Sequence, residues 1–153
     1  QTVDEFCRLS VGFELAVIPL GAEMYSDCAD VLLALKAKGH RLGISSNETQ
    51  DYIKAILKKF GLESIFDDVY SKRQGGSKNK GAKITVEAMG MQRPSIFVGD
   101  RKADVLAAKS NQMLSVGILH RFGSEEELKE SDYVVKDLNE FYSVVEELCN
   151  GQN

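Results

Sequence analysis

The sequence SIFVGDRKAD, at residues 95–104, decides the fold of this chain. Its first four residues are apolar enough for a short buried strand, and Gly99 and Asp100 follow where that strand ends. Asp104 comes four residues after Asp100, which is about one turn of a helix. If a helix begins directly after Asp100, both carboxylates point toward the end of the strand. Two carboxylates in that position predict a site for Mg²⁺, which prefers oxygen ligands.

Polar and basic residues also stand beside two other predicted elements. The apolar segment at 41–47 ends in Ser46 and Asn47, whose hydroxyl and amide can donate hydrogen bonds to an anionic oxygen. Residues 74–81, QGGSKNKG, are predicted to form a polar loop before the next helix. The lysines in or beside this loop, any of which could neutralise a phosphate, are Lys72, Lys78, Lys80 and Lys83.

Helical and strand-like segments alternate along the chain. Apolar spacing and stop signals predict helices over 27–38, 48–59, about 82–90, 102–112, 125–130 and 137–149. Short apolar segments predict strands over 41–47, 65–70, 95–98, 114–119 and 133–135. This alternation is typical of an α/β fold, in which a parallel sheet is covered by helices on both faces. Ligands of such folds bind at the carboxyl ends of the strands.

Each of these polar groups also has a purely structural interpretation. Ser46 and Asn47 could form a turn or a helix cap, the lysines could be solvated, and Asp100 and Asp104 could cap and charge the helix that follows them. A hydroxyl, a lysine and a carboxylate pair in this order at successive strand ends instead favour a phosphoryl-binding site.

Composition excludes several classes of protein. The net charge of −4 and the pI near 5.3 leave no basic surplus for a nucleic-acid or anionic-membrane partner. Three widely spaced cysteines are typical of reduced thiols in the cytoplasm, and no apolar run is long enough to span a membrane. At 153 residues we expect one domain over residues 1–153. No Gly-x-Gly-x-x-Gly fingerprint of a dinucleotide-binding domain is present.

The order of these motifs resembles the haloacid dehalogenase (HAD) superfamily, and in particular its phosphoglycolate-phosphatase-like branch. The resemblance covers about residues 24–148 and is carried by MYSDCADVLLALKAKGHRLGISSNE and FVGDRKADVLAAKSNQMLSVGILHRFGSEEEL. It implies a three-layer, Rossmann-like core whose cap domain is reduced or absent. It also implies that Ser46 hydrogen-bonds the transferring phosphoryl group, that Asp100 and Asp104 help hold Mg²⁺, and that Lys78, or else Lys80, binds phosphate beside Asn47. The Lys-Pro pair usual in this branch is absent here.

The sequence departs from the family where the nucleophile is expected. HAD phosphatases carry Asp-x-Asp-x-Thr at the end of the central strand, and these 153 residues contain no such motif. In one interpretation residues 1–24 include a degenerate first strand at 15–20, with Pro19 and Gly21 at the two aspartate positions. In the other they are the remnant of a cap helix that follows a strand outside this chain. A sheet without its central strand would leave two edges unpaired, which favours the degenerate strand.

The sequence therefore predicts a phosphohydrolase-like domain that is inactive as this chain, with Ser46 and Lys78 in catalytic positions and no nucleophile. Two alternatives stay open. The chain is a non-catalytic pseudo-phosphatase that acts through a protein partner, or it is a fragment of an active Mg²⁺-dependent phosphomonoesterase that takes a small phosphorylated metabolite.

Overall fold

The computed structural model describes residues 21–71, 77–90, 94–119 and 123–150, and helices alternate with strands along these ranges. The strands are β1 (Gly43–Ser46), β2 (Asp68–Ser71), β3 (Ile96–Gly99), β4 (Leu114–Ile118) and β5 (Tyr133–Val135). The helices are α1 (Cys28–Ala37), α2 (Gln50–Phe60), α3 (Lys78–Ala88), α4 (Lys102–Ser110), α5 (Glu125–Leu128) and α6 (Leu138–Asn150).

Every described strand pair is parallel, as the alternation predicts. β1 pairs with β2 in one sheet, with Ile44 opposite Val69. The second sheet has the order β3-β4-β5, with Val98 opposite Val116. The fold is thus an α/β, Rossmann-like arrangement, and its two sheets are separate in the described part of the chain.

Helices cover both faces of these sheets. One hydrophobic cluster joins α1 and α6 to β4 and β5 through Leu35, Phe141 and Val116, which are all buried. On the opposite face, α3 packs so closely on β1 that a Cβ at Gly43 would overlap Thr85 and Met89. The alternating sides of the strands explain this division, because successive side chains point to opposite faces of a sheet.

Most element boundaries follow local signals in the sequence. Thr49 caps α2 by accepting a hydrogen bond from the Tyr52 amide at 3.1 Å, and Gly61 ends that helix in the left-handed conformation with φ of 66°. Gly39, with φ of 85°, follows α1 in the same way.

Two predicted boundaries are wrong. β2 begins at Asp68 rather than Ile65, and Ile65 is a buried loop residue. Asp67 stays outside the strand because its Oδ2 accepts hydrogen bonds from the Lys36 ammonium at 2.6 Å and from the Leu42 amide at 2.8 Å. These hydrogen bonds also hold the pKa of Asp67 below its usual range.

The predicted loop at 74–81 also ends earlier than expected. Ser77 accepts a hydrogen bond from the Lys80 amide at 3.3 Å, which caps α3 and makes residues 78–81 helical. Lys78 and Lys80 are therefore helix residues and not loop residues.

The interpretation of residues 1–24 rests mainly on residues 1–20, which lie outside the described part. Pro19 is among them. Gly21 is helical and exposed, with no atom within 4 Å of a Cβ built on it. Both interpretations of residues 1–24 therefore stay predictions.

Two further predictions concern cysteines and membranes. Cys28 and Cys149 carry free thiols, and Cys7 lies outside the described residues. Among the helices that the structure describes, none combines the length and the apolar character that crossing a bilayer requires.

Candidate functional site

The turn between β3 and α4 forms the acidic part of the site. Arg101 is the N-cap of α4, and its amide donates a hydrogen bond to Asp104 Oδ2 at 3.2 Å. Asp104 is buried, and its carboxylate lies against Gly99, where any Cβ would overlap it. The glycine before Asp100 therefore has a steric reason: it lets the Asp104 carboxylate fold back onto the end of the strand.

Lys78 is the lysine that the fold brings to this turn. Its Nζ lies 2.9 Å from Asp104 Oδ1 and 6.0 Å from the centre of the Phe97 ring on β3. The side chain of Lys78 is 21% exposed and that of Asp104 is 9% exposed. The ammonium is thus fixed by a buried carboxylate but still reaches solvent. Lys80, the second lysine proposed from the sequence, is exposed.

The position of Lys78 depends on how closely α3 approaches the first sheet. A Cβ at Gly81 would lie 2.6 Å from two ring carbons of Tyr70 and 2.7 Å from Ser45 Oγ. Only glycine allows this contact, which lets the first turn of α3 pack directly against β1 and β2. The sequence shows a glycine among lysines at this position, but only the packing of α3 against the first sheet shows why glycine is needed there.

Ser46 and Asn47 lie at the carboxyl end of β1. Ser46 is half-buried, and its Oγ accepts a hydrogen bond from the Glu48 amide at 3.1 Å, while Asn47 is exposed. Among the contacts that the structure describes, none joins Ser46 or Asn47 to Lys78 or Asp104. The two parts of the predicted site thus stand at the ends of β1 and β3 without direct contact.

The carboxylates of Asp100 and Asp104 can be compared with the oxygen ligands that Mg²⁺ requires. Asp100 is half-buried and, among the described residues, forms no hydrogen bond or ion pair through its side chain. Both oxygens of Asp104 are engaged, one by Lys78 and one by the Arg101 amide. The described residues contain no cluster of three or more potential metal ligands. This arrangement fits Mg²⁺ held by Asp100 together with waters and phosphate, the usual pattern for this ion. Asp104 is better placed to orient Lys78.

The comparison with known families agrees with this arrangement of motifs. The family model described as haloacid dehalogenase-like hydrolase matches residues 20–118, more than half of the chain. The chain belongs to the haloacid dehalogenase-like hydrolases. The fold and the family predicted from the sequence are thus confirmed.

Individual relatives of this HAD chain are phosphatases. It is 29% identical over 113 residues to the phosphoglycolate phosphatase of Colwellia psychrerythraea and 28% identical over 129 residues to that of Escherichia coli K12. These alignments cover 70% and 78% of the chain, but only 49% and 50% of the relatives. A HAD phosphatase structure from Thermococcus onnurineus superimposes with a TM-score of 0.77 at 27% identity, covering 87% of this chain and 64% of that one. The HAD chain therefore spans about half the length of the curated relatives it matches.

Proposed function

We propose that this HAD chain is the phosphoryl- and Mg²⁺-binding part of a phosphomonoesterase, and that it does not turn over phosphate esters by itself. The observation that carries the proposal is the contact of 2.9 Å between Lys78 Nζ and Asp104 Oδ1 at the carboxyl end of β3. This contact holds a partly exposed cation at the turn after β3, and the half-buried Asp100 belongs to the same turn.

Lys78 would act as the electrostatic anchor for a phosphoryl group. The ammonium has three donors, and Asp104 uses one of them, so donors remain for an anionic oxygen. Because Asp104 already holds the side chain, little conformational entropy is lost when an anion binds. A charge-assisted hydrogen bond of this kind contributes about 1.5–3 kcal/mol.

Asp100 would hold Mg²⁺. The ion would supply positive charge that offsets the charge on the phosphoryl oxygens. On the other side, Ser46 would donate its hydroxyl hydrogen to a phosphoryl oxygen while its Oγ continues to accept from the Glu48 amide. Asn47 would add an amide donor. These residues bind and orient a phosphoryl group, but none of them is a carboxylate placed to attack phosphorus.

The missing nucleophile limits what the chain can do. A covalent aspartyl-phosphate needs an aspartate beside the bound phosphoryl group, and the Asp-x-Asp-x-Thr motif is absent from the sequence. One form of the proposal is that the chain is a part of an active phosphomonoesterase, like the phosphatases it is similar to. A small phosphorylated metabolite is then the substrate, and a cytoplasmic location stays a prediction. If the chain is instead a pseudo-phosphatase, a protein partner takes the place of the substrate.

Phosphate binding tests the site directly. Titration of the chain with inorganic phosphate and Mg²⁺ in a calorimeter should show saturable binding. Lys78→Gln should weaken it by about ten- to a hundredfold, since about 1.4 kcal/mol corresponds to a factor of ten. Lys83→Gln is the matched control, because Lys83 lies on the same helix with a side chain that is 63% exposed. Equal loss in both variants would contradict the assigned role of Lys78.

Turnover separates an inactive domain from an enzyme. The chain should show no Mg²⁺-dependent hydrolysis of an aryl phosphate. Turnover that requires Mg²⁺ and disappears in Asp100→Asn would overturn the inactive assignment and would show that a residue outside an Asp-x-Asp-x-Thr motif serves as the nucleophile.

A further inference from the structure

Asn111, the C-cap of α4, joins that helix to the first turn of α3. Its Nδ2 donates hydrogen bonds to the side-chain Oδ1 of Asn79 at 2.6 Å and to the backbone carbonyl of Asn79 at 3.1 Å. The same nitrogen lies 2.7 Å from the carbonyl oxygen of Ala107, one turn earlier in α4. The contact with Ala107 stays within α4 and is that of an ordinary helix end. The two contacts with Asn79 cross to another helix, so they have a further role.

Asn79 directly follows Lys78, and both lie in the first turn of α3. Lys78 reaches Asp104 in the first turn of α4, whereas Asn79 is held by Asn111 just past the last turn of the same helix. Asp104 and Asn111 are seven positions apart, which is about 10 Å along a helix. The first turn of α3 therefore contacts both ends of α4, and it cannot slide along α4 without breaking one of these contacts.

The first turn of a helix needs such an external contact to fix its place. The cap formed by Ser77 accepts from the Lys80 amide and stays inside α3, so it does not fix this helix relative to α4. The close packing at Gly81 fixes α3 against the first sheet, and not against the turn that holds Asp104. The residue after Lys78 is not proline, so no ring restricts the backbone there. The hydrogen bonds of Asn111 supply the contact between this turn and α4.

We propose that Asn111 is a positioning residue for Lys78. By holding the carbonyl and the side chain of Asn79, it fixes the turn from which Lys78 reaches the anion site. A lysine on a fixed turn loses less conformational freedom when an anion binds, and this raises affinity. The inference rests on the proposed function, in which Lys78 binds a phosphoryl oxygen. The effect of Asn111 on phosphate binding therefore passes through Lys78.

Phosphate binding to the whole 153-residue chain tests this role. In a calorimetric titration with inorganic phosphate and Mg²⁺, Asn111→Ala should weaken binding by about three- to tenfold, the loss that corresponds to one hydrogen bond. Asn139→Ala is the matched control and should bind phosphate as wild type does. The Nδ2 of Asn139 also joins two helices, since it donates to Asp27 at the start of α1 at 3.1 Å. All titrations are run well below the melting temperatures of the variants, so that folded chains are compared.

A combined variant separates positioning from a merely structural role. If Asn111 acts through Lys78, Lys78→Gln with Asn111→Ala should bind phosphate as weakly as Lys78→Gln alone, because no ammonium is left to position. Phosphorus NMR of the phosphate signal measures this weaker binding. Asn79→Ala provides a second variant: it removes the Oδ1 acceptor but keeps the carbonyl, so it should weaken binding less than Asn111→Ala does.

The outcomes distinguish this inference from the proposed function. An affinity of Asn111→Ala equal to that of wild type, alongside a weakened Lys78→Gln, would overturn the positioning role and leave the proposed function intact. Additive losses in the combined variant, or an equal loss in Asn139→Ala, would also overturn the positioning role. Absence of phosphate binding in wild type, or an unchanged affinity in Lys78→Gln, would contradict the proposed function and the positioning role with it.

Discussion

At the scale of single residues, the contact between Lys78 and Asp104 links the candidate site to the stability of the fold. Lys78→Ala leaves the buried Asp104 carboxylate without its cation and should lower the free energy of unfolding by about 1–3 kcal/mol. Lys78→Ala combined with Asp104→Asn should recover part of this loss, because the unpaired charge is gone. Denaturation by urea measures the free energy of unfolding of both variants. Lys83→Ala is the control: it breaks an exposed ion pair, and we expect it to lower the free energy of unfolding by less than about 0.5 kcal/mol.

Phosphate binding separates the two roles of this contact. The combined variant should regain stability without regaining affinity for phosphate, since no ammonium remains. Recovery of phosphate binding in the combined variant would contradict the assignment of Lys78 as the anion ligand.

Asp132 gives the fold a predictable dependence on pH. Its carboxylate accepts hydrogen bonds from the Ser115 hydroxyl at 2.6 Å and the Ser115 amide at 2.8 Å, and these hold the pKa of Asp132 below its usual range. A lowered pKa in the folded state stabilises the protein above the unfolded pKa, and this contribution is lost as the pH falls through the folded value.

Melting temperatures between pH 3 and pH 7 check this dependence. Wild type should melt above Asp132→Asn near pH 7, and the difference should shrink as the pH approaches 3. Glu130→Gln, an exposed carboxylate two residues away, serves as the control and should follow wild type throughout. A difference between wild type and Asp132→Asn that is the same at pH 3 and pH 7 would contradict the ionic origin.

At the scale of elements, α3 shows a conflict between propensity and packing. Alanine is favoured over glycine inside a helix by up to about 1 kcal/mol, yet a Cβ at Gly81 would press on the Tyr70 ring. Gly81→Ala should therefore destabilise the fold by about 1–3 kcal/mol and also weaken phosphate binding, since Lys78 lies on the same turn. Gly21→Ala, at a helical glycine with open space around it, should be neutral or slightly stabilising.

Thermal unfolding and phosphate titration of both variants measure these effects. Adding Tyr70→Leu to Gly81→Ala should restore part of the lost stability, because the flat ring that meets the Cβ is removed. A Gly81→Ala variant more stable than wild type would contradict the close packing of α3 on Tyr70 of β2.

The same elements show how far sequence reasoning reaches. Periodicity and stop signals predicted each described helix and strand, since these depend on neighbours along the chain. The start of β2 was missed because it depends on Asp67 meeting Lys36, which lies 31 residues earlier. The pairing of Lys78 with Asp104 was missed for the same reason: spacing placed each residue in the site, but only the approach of α3 to β3 shows that they neutralise each other.

At the scale of the whole molecule, the sequence predicted one parallel sheet, and the described residues form two parallel sheets, β1-β2 and β3-β4-β5. The reasoning that an absent central strand would expose two edges was physically sound. Its second step, placing residues 15–20 in the centre, stays a prediction, because those residues lie outside the described part of the chain.

Hydrogen exchange of the whole chain tests the two-sheet arrangement. In a parallel sheet, successive amides of a strand point to opposite sides. On β4 both sides are paired, so all interior amides should exchange slowly. On β1 and β3, which each have one hydrogen-bonded neighbour among the described strands, we expect an alternating pattern in which every second amide exchanges much faster than its neighbours. Uniformly slow exchange on all three strands, measured by NMR, would show that both sides of β1 and β3 are paired in solution and would contradict the two-sheet arrangement. The alternating pattern would show that β1 and β3 each have one side without a hydrogen-bonded neighbour, which makes those sides the least protected part of the sheets.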